Sequence, residues 1–507
     1  MLNFTPFLKA YASYRGSSLQ RKDSATTQAE QLIKLVSTAK NTTFGKDHDF
    51  KSISTVSDFQ NRVPLRKYED FWNEYWKKSY PILDNVTWPG KMPFFALSSG
   101  TSSGTTKYIP VSHQMIKSNT KAGLDMLSFH LLNCPNSQIF GGLNFMLGGS
   151  TQLQNPADKV FAGDLSGIAV KTLPLWARAR YFPPTELALL SDWEEKIEKL
   201  TASAITKDIR MISGVPSWLL IFFAKVSEVT GGKSLSQVFP NLELLVHGGV
   251  NFMPYYDQFV ELLKGSKAEL REVYPASEGF IAVADRGYSQ GLRLNIDHGI
   301  FYEFVPVDEL NKENPTRHWV RNVELGVNYA IVLTNVSGMW SYVLGDTVKF
   351  VDLNPARILI TGRTSYSLSA FGEHLIAEEV EKAVSSAAKN HNLQITDYSV
   401  GALFPKDKED LGGHLYIIEF AQDVPNKNLL DLISSDIDKV LCDLNEDYAA
   451  HRAGGFGLKS PEITAVKSGT FAAWMKSRGK LGGQNKVPRL ISDSSLFQNL
   501  RTFIRND

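Results

Sequence analysis

The feature that most constrains this chain is an apolar run, Pro93-Phe94-Phe95-Ala96-Leu97. It stops abruptly in Ser98-Ser99-Gly100-Thr101-Ser102-Ser103-Gly104-Thr105-Thr106-Lys107 and resumes at Tyr108-Ile109-Pro110-Val111. Large apolar residues cut off by small hydroxyl residues and glycine are how a buried strand delivers a functional loop. The ten loop positions hold seven hydroxyls, two glycines and one lysine. Freed backbone N–H groups, hydroxyl donors and an ammonium together suit a polyphosphate. The spacing departs from a Walker loop, which ends in adjacent Gly-Lys. A flexible Ser/Gly linker would not be bracketed by two apolar segments.

At 507 residues the chain has room for two or three domains, and 43% hydrophobic with 21% charged residues is a folding composition. Fifty-four Lys plus Arg against 53 Asp plus Glu leave a net charge of +1, without the basic excess of a nucleic-acid binder. Two cysteines, Cys134 and Cys442, cannot build a disulfide framework or a four-thiolate zinc site, and their apolar neighbours predict buried free thiols. The ten histidines show no His-x-x-x-His or His-Glu-x-x-His spacing, which points away from a protein-only metal site. No apolar run is long enough to span a bilayer, and Met1 to Tyr14 lacks the pattern of a signal peptide. The expected setting is a reducing cytoplasm, without a membrane partner.

The spacing predicts a helix over 28–40, two short helices between Val56 and Trp76 broken at Pro64, and helices over Asp192–Ala204 and Tyr256–Lys264. Ile205–Ile212 and Leu242–Val246 read as strands, and strands separated by helices imply parallel β-α-β units. From Ile300 closely spaced strands follow, at Phe301–Val307, Asn328–Thr334, Thr347–Val351 and Ile358–Ile360. A helix over Ile376–Ser386, strands at Tyr398–Leu403 and His414–Phe420 and a helix at Leu429–Asp443 suit a separate small α+β domain. The expected division is 1–362, a hinge at 363–372, and 373–507.

Two weaker clusters lie downstream, Val273-Tyr274-Pro275-Ala276-Ser277-Glu278-Gly279 and Trp340-Ser341-Tyr342-Val343-Leu344-Gly345-Asp346. Alone, each reads as a turn or a surface charge. In this order after a Ser/Thr/Gly loop they resemble the signature of the adenylate-forming superfamily of acyl-CoA synthetases, luciferases and adenylation domains. The loop from Ser98 to Lys107 fits Ser-Ser-Gly-Thr-x-x-Gly-x-x-Lys at every fixed position. It is most similar to that of the plant-type acyl-acid amido synthetases, which conjugate auxin, jasmonate or benzoates to amino acids. Phe301-Tyr302-Glu303-Phe304-Val305-Pro306, Leu325-Gly326, Val332-Leu333-Thr334, Gly469-Thr470-Phe471 and Gly482-Gly483-Gln484-Asn485-Lys486-Val487-Pro488-Arg489 extend the resemblance to about Pro93–Arg489. The chain departs from that family at Ser341 and Val343, where the plant enzymes carry arginines, and over Leu153–Thr201.

The resemblance implies an α/β fold with a large N-terminal adenylate-forming domain of β-sheets with flanking helices, and a small mobile α+β C-terminal domain. It implies ATP and Mg²⁺, and an acyl-adenylate made from a small carboxylic acid and passed to an amine, usually an amino acid. Ser98, Ser99, Thr101 and Lys107, with Gly100 and Ser102 in the same loop, would hold the phosphates. Glu278 would hold Mg²⁺ and Ser277 would bond an α-phosphate oxygen. Gly248, Gly249 and Val250 with Tyr274 would wall the adenine. Asp346 would accept the ribose hydroxyls, with Arg363 nearby, and Lys486 would reach the reacting phosphate or carboxylate. Lys486 also reads as a surface cation beside Lys476, Arg478 and Lys480. The acid pocket is placed at Pro216 and Trp218, the latter equally readable as core. The alternatives are transfer to coenzyme A or a carrier thiol, and a non-catalytic nucleotide-binding relative; the oligomeric state is not set.

Overall fold

Apolar strands alternating with helices between Leu143 and Ala276 favour a parallel sheet covered by helices. The computed structural model has that sheet. It describes the chain except residues 1–2, 100–105, 149–152, 189, 191–192, 250–251, 253–254, 365–366, 369–374, 405–411, 422, 446–447, 450–451, 453–457, 482–485, 492 and 507, with only the backbone of 98, 99, 106, 193, 194, 217, 363, 367 and 506. Strands Tyr181–Phe182, Leu143–Leu147, Ile209–Gly214, Leu244–Gly248 and Glu269–Ala276 lie side by side in that order, all parallel. Gly279–Val283 returns antiparallel, and the sheet continues through Leu292–Leu294, Ala356–Arg363, Tyr342–Leu353, Asn328–Asn335, Ile300–Pro306 and His318–Trp319, twelve strands in all.

Leu244–Gly248 is apolar without alternation because both of its faces are covered. Leu245 joins Leu219, Phe222 and Phe259 on one side, while Leu244 and Val246 join Leu8, Leu127 and Phe129 on the other. The latter come from helices Thr5–Gln20 and His113–Asn133, which apolar spacing alone does not predict. Their inward faces are partly polar. Buried Arg15 donates to both oxygens of buried Asp125 at 2.7 Å and to Asp297 at 2.7 and 2.9 Å. That network replaces part of the apolar stripe that would have revealed the helices.

Most other expected elements form within a few residues. Ser24–Ala39, Trp193–Ala204 and Tyr256–Leu262 are helical, and the 56–76 segment gives Val56–Arg62 and Tyr68–Phe71 with a π turn at Trp72–Trp76. The strand expected from Ile205 starts at Ile209 instead. Residues 205–207 turn out of the preceding helix, with Lys207 N–H bonded to the Ala204 carbonyl and the Thr206 hydroxyl to that of Ser203. A second sheet pairs Thr106–Val111, Phe94–Ser99, Val160–Gly163 and Gln154–Ala157.

Contacts divide the chain into two units. The first takes the bulk of the chain to Leu344 and Val348–Ile360; the second takes Gly345–Thr347 and Thr361–Asp507. The second unit holds the sheet Glu462–Val466, Gly413–Phe420, Ile395–Leu403, Leu490–Ile491, with helices Ala377–Asn390 and Lys427–Leu444 packing Val380, Val384, Ile433 and Ile437 into its core. Both cysteines are free and half-buried, less enclosed than their neighbours in sequence suggest. Among the described residues no helix is long and apolar enough to cross a membrane.

The first unit's core is anchored on Trp340, fully buried among Phe44, Phe50 and Trp88, its indole N–H donating to the Thr87 carbonyl at 3.0 Å. Trp340→Ala is expected to lower stability by about 3–5 kcal/mol. Ile221→Ala, on an exposed helix position, should change it by about 0.5 kcal/mol or less. Urea denaturation of the two variants checks the contrast.

Candidate active site

Strands Phe94–Ser99 and Thr106–Val111 are antiparallel, with Ser98 opposite Lys107 and Ser99 opposite Thr106. The apolar run thus delivers the hydroxyl-rich segment at a hairpin end. Gly100, Thr101 and Ser102 lie outside the described residues, as do the side chains of Ser98 and Ser99. Lys107 holds its ammonium 5.4 Å from the centroid of the Tyr68 ring, where a cation is attracted by the π-face. Tyr68 is itself fixed: its hydroxyl accepts the Tyr108 N–H at 2.9 Å, and burial pushes its phenol up to about 12.

Ala276 pairs with Gly279, so Ser277 and Glu278 form the two-residue tip of the hairpin between Glu269–Ala276 and Gly279–Val283. The Glu278 carboxylate accepts the Tyr342 hydroxyl at 3.2 Å, and its carbonyl accepts the Asn335 amide at 2.7 Å. Asn335 is fully buried and accepts the Ser337 N–H at 2.8 Å, so the tip is clamped from the end of the Asn328–Asn335 strand, with three strands between them in the sheet order. On the other side Gly248 pairs with Val273; a Cβ there would sit 2.2 Å from the Val273 carbonyl oxygen, so only glycine lets these strands close. Gly249 turns the chain away at φ +81°, and Tyr274 is buried in the next strand. Val250 lies outside the described residues. Just before the glycines, His247 lies opposite Glu272 and stacks on Phe252. Burial lowers the imidazole to about 3 and raises the Glu272 carboxyl to about 7.

The approach to Tyr342 depends on a carboxylate in an otherwise apolar strand. Glu303, fully buried, binds Arg317 through Nε at 2.9 Å and Nη2 at 3.0 Å. The Ser341 hydroxyl accepts from Arg317 at 2.6 Å and donates to Glu303 at 2.9 Å, while its N–H bonds the Thr334 hydroxyl at 2.8 Å. Ser341 is held in the left-handed region at φ +45°. In this chain the guanidinium that meets Glu303 is that of Arg317, just before the His318–Trp319 strand. At Val343, the second departure, the N–H bonds the Arg66 carbonyl, and the Arg66 guanidinium lies over Phe44, Phe71 and Tyr75 at 5.6, 5.9 and 5.5 Å. Arg317, Tyr342 and Asn335 carry no role in the sequence reading; the one signal was Glu303 inside Phe301–Val305.

In the second unit Asp346 is buried beside Gly345, whose carbonyl accepts the Thr364 N–H at 2.8 Å. The Thr347 and Thr361 hydroxyls bond at 2.8 Å. Arg363 ends the Ala356–Arg363 strand, its side chain outside the described set, and Lys486 is exposed. Pro216 and Trp218 open the Pro216–Val229 helix, and both are buried, Trp218 within the core around Phe222 and Phe223.

A twelve-stranded sheet with a parallel part closed by Gly248, together with a smaller α+β unit, is a fold shared with solved ligases. A GH3.15 acyl acid amido synthetase solved with 2,4-DB superposes over 99% of this chain and 98% of its own, with a TM-score of 0.82 at 16% identity. A 2-hydroxyisobutyryl-CoA ligase in its postadenylation state covers 94% and 91%, with a TM-score of 0.61 at 14% identity. The sequence matches the GH3 family N-terminal domain over residues 18–268, its central domain over 294–363 and its C-terminal domain over 378–495. The chain belongs to the GH3 family. It is similar to the indole-3-acetic acid-amido synthetase GH3.4 of Arabidopsis thaliana, 21% identical over 94% of this chain and 90% of that protein. It is also similar to the jasmonoyl–L-amino acid synthetase JAR4 of Nicotiana attenuata, 20% identical over 94% and 92%.

Arg317→Met would leave the Glu303 charge buried and unpaired, a loss of about 3–5 kcal/mol in urea denaturation. Adding Glu303→Gln to that variant should restore part of the loss, because the buried charge goes with it.

Proposed function

We propose that the protein is an ATP-dependent acid–amino acid ligase. It joins a small carboxylic acid to ATP as an acyl-adenylate with release of pyrophosphate, then passes the acyl group to the amine of an amino acid, forming an amide and AMP. The observation that carries this reading is the clamped hairpin tip, where Glu278 is gripped by Tyr342 and Asn335, in a chain that matches all three GH3 family domains between residues 18 and 495.

In the first half-reaction a weak carboxylate nucleophile approaches a negative α-phosphate, so positioning and charge neutralisation do most of the work. Lys107 and the Ser98–Ser102 hydroxyls and amides bind the phosphates, Ser277 bonds an α-phosphate oxygen, and Gly248 with Tyr274 walls the base. Asp346 accepts the ribose hydroxyls. Glu278 offers a hard oxygen donor in a fixed position, which fits a magnesium ion sharing substrate oxygens; when bound, that ion neutralises phosphate charge. In the second half-reaction the neutral amine attacks the activated carbonyl and AMP leaves, so no protein nucleophile is needed. Lys486 serves the first half-reaction. Residues 363–372 act as a hinge between an adenylation domain, 1–362, and a C-terminal domain, 373–507. A reducing cytoplasm as its setting is consistent with two free cysteines.

The deciding experiment incubates the protein with ATP and Mg²⁺ across a panel of aryl and alkyl acids crossed with amino acids or coenzyme A, and reads products by mass spectrometry. Acid-dependent AMP with an amide is the expected result. AMP formed only with a thiol would move the protein to thioester synthesis, and ADP would sink adenylation. Glu278→Gln should slow acid-dependent pyrophosphate release by about 10²-fold or more, with the fold intact by circular dichroism. Ser365→Pro, in the hinge, should slow amide formation more than pyrophosphate release; equal loss in both would count against the hinge.

A further inference from the structure

A second cluster of chemically capable side chains lies at the opposite end of the strand that carries Glu278. Glu269 begins the Glu269–Ala276 strand, eight residues and roughly 26 Å before the hairpin tip at Ser277, at about 3.3 Å per residue. Against it ends the His113–Asn133 helix, with Cys134 as its cap. His130 and Cys134 are four residues apart, one helical turn, so they project from the same face. His130 Nδ1 lies 2.9 Å from one Glu269 oxygen and the Cys134 sulfur 3.1 Å from the other. The three ligand atoms all fall within 4.8 Å of one another.

We propose that His130, Cys134 and Glu269 form a binding site for a transition-metal dication of the zinc type. An imidazole nitrogen, a thiolate and a carboxylate are zinc's ordinary protein ligands, and three of them with an open fourth position make a tetrahedral site. The surrounding groups are arranged as outer partners of such ligands. His130 Nε2 faces the Ser137 hydroxyl at 3.2 Å, with Glu243 beyond it at 3.9 Å, which leaves Nδ1 as the ligating nitrogen. Arg271 holds one Glu269 oxygen at 2.8 Å and leaves the other to face the sulfur. Beside the cluster opens a cavity of about 360 Å³, lined by Asn133, Glu269 and Arg271, which gives a path from solvent and room for a water as fourth ligand.

A metal at Nδ1 and Sγ takes an unprotonated imidazole nitrogen and a thiolate, so binding releases protons and strengthens as the pH rises. The other group with metal-type ligands among the described residues, Asp125, Asp297 and His298, holds no thiol, and its two carboxylates are met by three cations, Arg15, Lys22 and Lys121.

The test is titration of the reduced full-length protein with Co²⁺ alone, followed by Zn²⁺. One thiolate-to-cobalt charge-transfer band per chain, with the intense visible bands of tetrahedral Co²⁺, is expected, together with release of the thiol proton and loss of the bands on adding Zn²⁺. Cys134→Ser should abolish the charge-transfer band, Cys442→Ser should keep it, and His130→Ala should weaken Co²⁺ binding by about tenfold or more. A wild-type protein with both thiols reduced that shows no such band in excess Co²⁺ overturns the proposal, and so does a band that survives Cys134→Ser. The wild-type titration decides even where a variant folds poorly.

Discussion

The buried charge of Glu303 is the constraint around which the candidate site is built. A carboxylate with no exposed surface is tolerated only when paired and hydrogen-bonded, and here it takes a guanidinium fork, a serine hydroxyl and the Gln60 amide at 3.0 Å. Arg317 spends its remaining donor on the Gln60 and Val63 carbonyls at 2.7 and 2.6 Å, which ties the end of the Val56–Arg62 helix to the sheet. The same network pins Ser341 in a left-handed conformation that an unconstrained serine seldom adopts. The residue after it is Tyr342, whose hydroxyl meets Glu278. Position is thus passed from a buried ion pair to a backbone angle, and from there to a carboxylate at a hairpin tip.

A second ion network does comparable work around the first helix. Arg15 fastens the first helix to Asp125 of the His113–Asn133 helix and to Asp297. Burial opposes the Asp297 charge, yet His298, Arg15 and Lys22 together hold its carboxyl well below the usual range. A depressed carboxylate contributes stability above its unfolded pKa that is lost only as the pH falls through the folded one. That helix also packs Leu127 and Phe129 beneath the strands that end at Gly248 and Ala276. The network therefore supports the floor of the site without touching it.

These two networks explain what was and was not legible in the sequence. Phe94–Leu97 announced its strand because nothing polar interrupts it, and Leu244–Gly248 did so because both of its faces are apolar. The helices at Thr5–Gln20 and His113–Asn133 were invisible to apolar periodicity because Arg15, Asp125 and His130 occupy inward positions. Ser277 and Glu278 looked like a turn and are one; what the sequence could not supply was the distant pair, Tyr342 and Asn335, that holds the turn still. Trp218 was readable two ways, and it packs in the buried cluster with Phe222 and Phe223, a position open to either reading. His130 and Cys134 escaped because a search for paired histidines ignores a mixed pair at the same spacing, and because Glu269 lies 135 residues further along the chain from Cys134.

The departure at position 341 then has a physical meaning. Arg317 reaches Glu303 through the space beside a small side chain, and Ser341 supplies both that space and a hydroxyl that bonds each partner. An arginine at 341 would bring a second guanidinium against the same carboxylate in a region with no solvent to screen it. One of the two cations would be left without a counter-charge, at a cost of several kcal/mol. Ser341 and Arg317 are therefore one joint solution to the burial of Glu303, and the backbone path into Tyr342 depends on the small residue at 341 as much as on the guanidinium.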